Sequence, residues 1–278
     1  MKNYFLKSFI SITLIAFLIA NLCGCVKQKQ HGLTIKQGVL SVGVEVGYPP
    51  MEYYDTDSAT LLGFDIDLTN ALAEKLGLKT HYIDTAWEGI LAGLDANRYD
   101  ITVNITILPE RQKRFNFTKP YIESSMTIVT RSNSNIEIKK PEDIASYRAA
   151  FQGDTTAQYF TERLAKQGII FSPFSYEKII YCFNDLLLGR VDLVIVDNIV
   201  ASNFIDKEGS SFKIVWQGES DEYIGICLKK GNDDLTAALN SALDELFAEG
   251  VIQEISQKIF KRDLITRVFY DTINIHYE

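Results

Sequence analysis

Apolar positions along this chain change period repeatedly. Residues 39–46 alternate apolar and small side chains, which predicts a strand. Leu68, Ala71, Leu72 and Leu76 then recur at helical spacing, and Gly77 marks where that helix stops. Residues 81–83 read as a short strand. Residues 87–94 read as a helix with Ile90, Leu91 and Leu94 on one face, and 101–107 as a β-branched strand. This βαβα order implies a parallel sheet covered by helices. The order restarts near residue 126: strand 126–130, a short helix from Pro141, strand 148–151, and a helix from near Thr155 that ends before Gly168. Segments 169–171, 176–188, 191–196 and 198–207 continue the alternation, and 191–196 has the composition of a buried parallel strand. Strand 223–228 and a long amphipathic helix, 235–248, follow.

The chain has no internal repeat, low-complexity tract or long Gly/Ser linker. Two α/β lobes joined by short hinge strands, with a ligand cleft between them, are therefore expected. The first lobe would comprise 33–122 and a return segment, 226–265. The second would comprise 126–221, and 266–278 would form a C-terminal tail.

The N-terminal residues add an address. Lys2 and Lys7 precede an uncharged stretch, Phe9 to Ala20, that falls short of the about 20 apolar residues a membrane span needs. It suits the apolar part of an export signal. Leu22-Cys23-Gly24-Cys25 follows and resembles the lipobox of bacterial lipoproteins. The expectation is a signal peptide over 1–24, lipid on Cys25 and a polar tether over 25–32. Cys23 fits less well because Leu22 before it is not small. Ordinary cleavage with free cysteines is the alternative.

Composition changes the picture little: 46% hydrophobic and 23% charged residues are ordinary for a folded soluble protein. The formal charge of −8 becomes more negative without Lys2 and Lys7, which argues against nucleic acid and against polybasic membrane attachment. Cys182 lies in a helical pattern and Cys227 in a strand pattern, so both read as buried free thiols.

Enzymatic signals are scarce. His31, His81 and His276 have no neighbouring metal-ligand spacing, and no nucleophile elbow, P-loop or dinucleotide fingerprint occurs. Other motifs stand out. Gly63-Phe64-Asp65-Ile66-Asp67-Leu68 opens a helix continued by Ala71, Leu72, Ala73 and Leu76. Thr106-Ile107-Leu108-Pro109-Glu110-Arg111 precedes Phe117-Thr118-Lys119-Pro120-Tyr121. In this order the motifs closely resemble family 3 of the bacterial solute-binding proteins, the amino-acid receptors of ABC importers. The likeness runs from about Val39 to Phe260. It implies the periplasmic-binding-protein-like fold of two α/β lobes, no cofactor, and a monomer that takes a free amino acid to ABC permease subunits.

The residue types make sense for that ligand. An α-amino acid carries a carboxylate and an ammonium on one carbon. A guanidinium pairs a carboxylate bidentately, and Arg111 matches the family's carboxylate-binding arginine. Asp197 follows the strand at 191–196, where sites in α/β sheets form, and matches the aspartate that holds the ammonium. Thr106 matches a ligand-contacting Thr or Ser, and Asn104 a carbonyl that accepts from the ammonium. Thr155 and Thr156 begin a helix, whose free N–H groups favour an anion, and match the second-lobe contact to the carboxylate. Tyr48 and Trp87 match aromatics that sandwich the ligand side chain. Glu45 matches an acidic position at its far end, which suits a polar or cationic side chain. Leu108 departs from the family's common Thr, and Asp154 from a frequent Gly.

Each residue also has a plain structural use. Arg111 could pair with Glu110 on the surface, and Asp197 could cap the following helix. Trp87 could be core and Tyr48 a turn aromatic. Asp65 and Asp67 read as structural, one of them as a helix N-cap. Two other functions share the scaffold. The family also contains a cyclohexadienyl dehydratase, for which Glu45 is the evident general acid. A lipoprotein that senses the ligand for a signalling partner is the other.

Overall fold

A computed structural model describes residues 32–55, 60–207, 209–265 and 268. The expected signal peptide, Cys25, the tether up to residue 31 and all of the tail except Val268 lie outside the described residues. The described residues from Thr34 onward form one compact unit.

The chain begins with β1 (Val39–Val44), the hairpin of β2 (Tyr53–Tyr54) and β3 (Leu61–Leu62), α1 (Phe64–Lys75), β4 (Lys79–Asp84), α2 (Trp87–Asp95) and β5 (Ile101–Thr106). Then come α3 (Pro109–Arg114), β6 (Phe115–Phe117), β7 (Ile122–Ser124), β8 (Met126–Arg131) and β9 (Arg148–Gln152). Next are α4 (Thr156–Lys166), β10 (Ser172–Tyr176), α5 (Ile179–Leu187), β11 (Leu193–Asp197) and α6 (Asn198–Lys207). The last described elements are β12 (Phe212–Gln217), β13 (Glu222–Lys229), α7 (Asp233–Ala248) and α8 (Val251–Phe260).

Two sheets organise these elements. The first runs β4-β1-β5-β13-β6, with β7 also paired to β13; the second runs β10-β9-β11-β8-β12. The chain passes between them twice, from β7 to β8 and from β12 to β13. β13 begins at Glu222, ahead of the expected return at 226. Neither sheet is purely parallel as expected. β13 runs antiparallel to β5, and β8 runs antiparallel to both β11 and β12. These antiparallel strands are the ones that enter or leave a lobe.

Burial on both faces explains the apolar run in β11. Val194 and Val196 pack with Ile179, Phe183 and Val200 on one side of the second sheet. Leu193 and Ile195 pack with Phe160 and Leu164 on the other. The expected strand at 169–171 is displaced: the strand is β10, which carries Pro173 and is mostly exposed. An edge strand tolerates proline and needs no apolar face, so periodicity could not reveal it. Ile169 and Phe171 pack against the lobe core just before it.

The start of α1 explains its motif. Gly63 has φ 135°, and a Cβ there would run into the Met51 carbonyl, so only glycine fits. Neither Asp65 nor Asp67 caps the helix, contrary to expectation. Asp67 is ion-paired to Lys258 at 2.7 Å. Asp65 is buried and accepts a hydrogen bond from the Tyr121 hydroxyl at 2.7 Å. Cys182 and Cys227 are free and buried, on α5 and β13 as the patterns indicated.

Candidate functional site

A cavity of about 460 Å³, its mouth included, lies between the two sheets' lobes. All nine residues singled out from the sequence as ligand contacts line it, and so do Glu52, Ser124, Gln152, Glu222 and Ile224.

The first lobe reaches the cavity from a strand interior. Asn104 sits mid-strand in β5 with φ 58°. β5 pairs Ile105 with Gly225 and Thr102 with Cys227, so Val103 and Asn104 together oppose Ile226 alone. That extra residue is a β-bulge, which re-aims side chains at a sheet's working edge. The Asn104 N–H, turned out of the ladder, donates to the Tyr121 hydroxyl at 2.9 Å. Tyr121 in turn donates to Asp65, so the bulge is tied to the motif that opens α1. Beyond β5, Pro109 occupies the first turn of α3 and places Arg111 inward. Arg111 is buried, and its Nη1 donates to the Thr106 carbonyl at 3.1 Å. The surface pair with Glu110 is not formed.

The second lobe offers strand ends and helix starts. Asp197 closes β11, and its Oδ1 accepts from the N–H groups of Ile199 at 3.0 Å and Val200 at 2.9 Å. It therefore does cap α6. Its Oδ2 accepts from the Tyr48 hydroxyl at 2.5 Å, across the cleft. The capping and cavity-lining uses of Asp197 coexist. Burial raises its carboxyl above the ordinary range, although the Tyr48 hydroxyl and the helix N–H groups oppose this. Thr155 is the N-cap residue just before α4, but its hydroxyl donates back to the Gln152 carbonyl at 2.7 Å. The first-turn N–H groups of α4 are thus left without a side-chain cap. Asp154, where glycine was noted as frequent, has φ 57°, a left-handed conformation that Asp tolerates.

Charge in the cavity is lopsided. Arg111 is the one cation among its described lining residues, against Glu45, Glu52, Asp197 and Glu222. Burial pushes Glu45 up to about 7, despite a 2.7 Å hydrogen bond from Gln152 Nε2 and the charge of Lys178. Glu52 and Asp65 are buried together and share hydrogen-bonding oxygens that find no other partner. Desolvation first, then the charge of Asp65, raises Glu52 well above its ordinary value. Besides Tyr48–Asp197, the lobes are bridged by Gln152–Glu45 and by Lys178 Nζ donating to the Val46 carbonyl at 3.1 Å. Among the described residues, no group of three or more His, Cys, Asp and Glu is placed to hold a metal ion, and no helix is long and apolar enough to cross a membrane.

Of the lining residues missed from the sequence, Gln152 had a readable signal: it ends a strand directly before a helix start, where such sites form. Glu52 and Glu222 had none, since only tertiary folding brings them to the cavity.

Two α/β lobes with a polar, charged cavity between them, lined by Arg111 from the first lobe and Asp197 from the second, define a solute-receptor class of fold. Residues 40–262 match the family of bacterial extracellular solute-binding proteins, family 3, and the chain belongs to that family. It is 30% identical to the L-cystine-binding protein TcyJ of Escherichia coli (strain K12) over 230 residues, which is 82% of this chain and 85% of that one. Its structure resembles an ancestral arginine-binding protein bound to arginine, with a TM-score of 0.76 and 33% identity, covering 81% of this chain and 99% of that chain. It also resembles the ancestral amino acid-binding protein AncCDT-1, a precursor of cyclohexadienyl dehydratase, with a TM-score of 0.73 and 28% identity over 80% and 95% of the two chains.

Proposed function

We propose that this protein captures a free L-amino acid with a polar or cationic side chain and delivers it to an ABC importer. The observation that carries the reading is the placement of Arg111 and Asp197, from different lobes, on one cavity. The ligand carboxylate pairs with the Arg111 guanidinium and the uncapped N–H groups of α4, while Thr155 and Thr156 flank it. The ammonium meets Asp197, with Asn104 and Thr106 completing its hydrogen bonds. Tyr48 and Trp87 hold the side chain, and Glu45 meets its polar end. Micromolar capture needs about 8 kcal/mol, which an amino acid of roughly ten heavy atoms can supply in a closed cleft. Lobe boundaries at 33–122 with 226–265, and at 126–221, suit closure about the two crossings.

Relatives named for cystine and arginine binding support the ligand class. The same reading places the chain outside the cytoplasm as a monomer, anchored by lipid on Cys25 after removal of 1–24, with a permease as its partner. A thermal-shift screen over the common amino acids tests it. Arginine, cystine or another polar amino acid should raise the melting temperature more than leucine or isoleucine; a preference for branched aliphatic ligands contradicts it. Membrane fractionation of Cys25→Ser tests the anchor, since the variant should leave the membrane.

One observation favours a second reading, an enzyme of the cyclohexadienyl dehydratase type. Glu45 is a buried acid at about 7, in the range useful to a general acid. Turnover of a cyclohexadienyl acid, abolished in Glu45→Gln, would establish it.

A further inference from the structure

Glu222 opens β13, at the second crossing between the lobes, and pairs with Ser124 of β7 at the first. Its side chain turns into the cavity. The Ser124 hydroxyl donates to its Oε2 at 3.2 Å, and the Thr156 hydroxyl at the start of α4 reaches it from the second lobe. Asp197 faces it from β11 closely enough for their charges to oppose each other. Tyr48, bound to Asp197, feels both carboxylates and Glu45 as well. Asp221, which precedes the strand, is exposed. The cavity's arginine is bonded to the Thr106 carbonyl and forms no ion pair with either carboxylate. Two partly desolvated carboxylates thus oppose each other in the cavity, and among the described residues neither is paired with a cation. Such a pair is relieved in one of two ways: one carboxylate takes a proton, or a cation enters between them.

We infer that Glu222 is a specificity-determining residue that, opposite Asp197, completes a two-carboxylate clamp on the ligand's ammonium group. This rests on the amino-acid reading above and names how the site selects for the ammonium. In the empty protein, burial holds Glu222 at about 7, so near neutral pH the carboxyl keeps its proton in much of the population. When the ammonium enters, the carboxyl O–H breaks, the proton leaves to water, and the freed oxygen accepts an N–H of the ligand. Charge balances: one cation enters the site and one proton departs. The group's affinity for protons is lower in the complex than in the empty protein, so ligand affinity rises with pH through the range below about 7 and levels off above it. Glu45 also stands at about 7 and lines the same cavity, so it releases a proton in the same range when the ligand's side chain is cationic.

L-arginine and L-citrulline separate the two glutamates, because they share the α-ammonium and differ in side-chain charge. Calorimetric titration of Glu222→Gln at pH 8 should show both ligands weakened about tenfold or more. Titration at pH 7 in two buffers of different ionisation enthalpy should show less proton release than wild type for both. Gln retains hydrogen bonds to Ser124 and Thr156 and buries no charge, so the ligand-free melting temperature should not fall. Glu45→Gln should affect arginine far more than citrulline. If Glu222→Gln binds both ligands within twofold of wild type and releases as many protons, the inference is overturned. Should that variant not fold, Glu45→Gln decides: its citrulline affinity must still fall between pH 8 and pH 6, and a flat profile overturns the inference. If wild type binds no amino acid at all, the receptor reading fails and this one with it.

Discussion

The two lobes build their halves of the cavity by different means. The second uses positions that any α/β sheet makes available: Gln152 ends β9, Thr155 and Thr156 begin α4, and Asp197 joins β11 to α6. The first works from the interior of β5, where a bulge turns Asn104, and from the short α3, which brings in Arg111. The difference teaches what each charged residue costs to keep. Asp197 is held by backbone N–H groups that need it as a cap, so it serves the fold and the site together. Arg111 makes a single hydrogen bond to the protein, and its remaining donors have work only when a ligand arrives.

Substitution of the two charges breaks that comparison most sharply. Arg111→Ala should weaken amino-acid binding about a hundredfold, the roughly 3 kcal/mol cost of leaving a buried charge on the ligand unpaired. Its ligand-free denaturation midpoint should change little, as read by chemical unfolding followed by circular dichroism. Asp197→Ala should lose binding to a similar degree, and should also lose about 1 kcal/mol of ligand-free stability with the cap of α6. Calorimetry and unfolding on both variants check the contrast; equal stabilities for the two would remove it.

Acidification tests the excess of carboxylates in the cavity. Burial raises Glu45 and Glu222 to about 7 and Asp65 to about 6, so between roughly pH 4.5 and 7 the folded protein binds more protons than the unfolded chain. Ligand-free stability should therefore rise as pH falls from 7.5 to 5. Asp185 and Asp192 act oppositely, because Tyr176 and Arg148 respectively lower them, but their contribution is lost only nearer pH 4 and below. Melting curves at pH 7.5 and 5 measure the effect, and ligand binding should make it smaller.

Tyr48→Phe is the smallest expected change. It removes one hydroxyl from Asp197, worth about 1 kcal/mol, while the aromatic wall remains. Because that hydrogen bond crosses the cleft, the variant should favour the open arrangement, and small-angle scattering without ligand should show a larger radius than wild type.

Much of this site was readable from spacing and residue type. The motif around Asp65, the strand at 191–196 and the helix start at Thr155 follow local rules, so the residues beside them could be placed. Arg111 and Asp197 needed the family resemblance, since each also had an ordinary use, and Asp197 turned out to have both. What escaped was set by tertiary contact. Glu52 is drawn against Asp65 by the turn at Met51, and Glu222 faces Asp197 only because β13 returns beside β7. β10 escaped for a simpler reason: an edge strand with Pro173 has no apolar period to detect.

The central claim is that one amino acid is held by its own two charges between the lobes. A crystal structure of the protein grown with the amino acid that most raises its melting temperature tests it most directly. The account predicts the ligand in this cavity, its α-carboxylate paired bidentately with Arg111 and its ammonium within hydrogen-bonding distance of Asp197. Ligand density elsewhere, or a ligand whose carboxylate and ammonium touch neither residue, would contradict it.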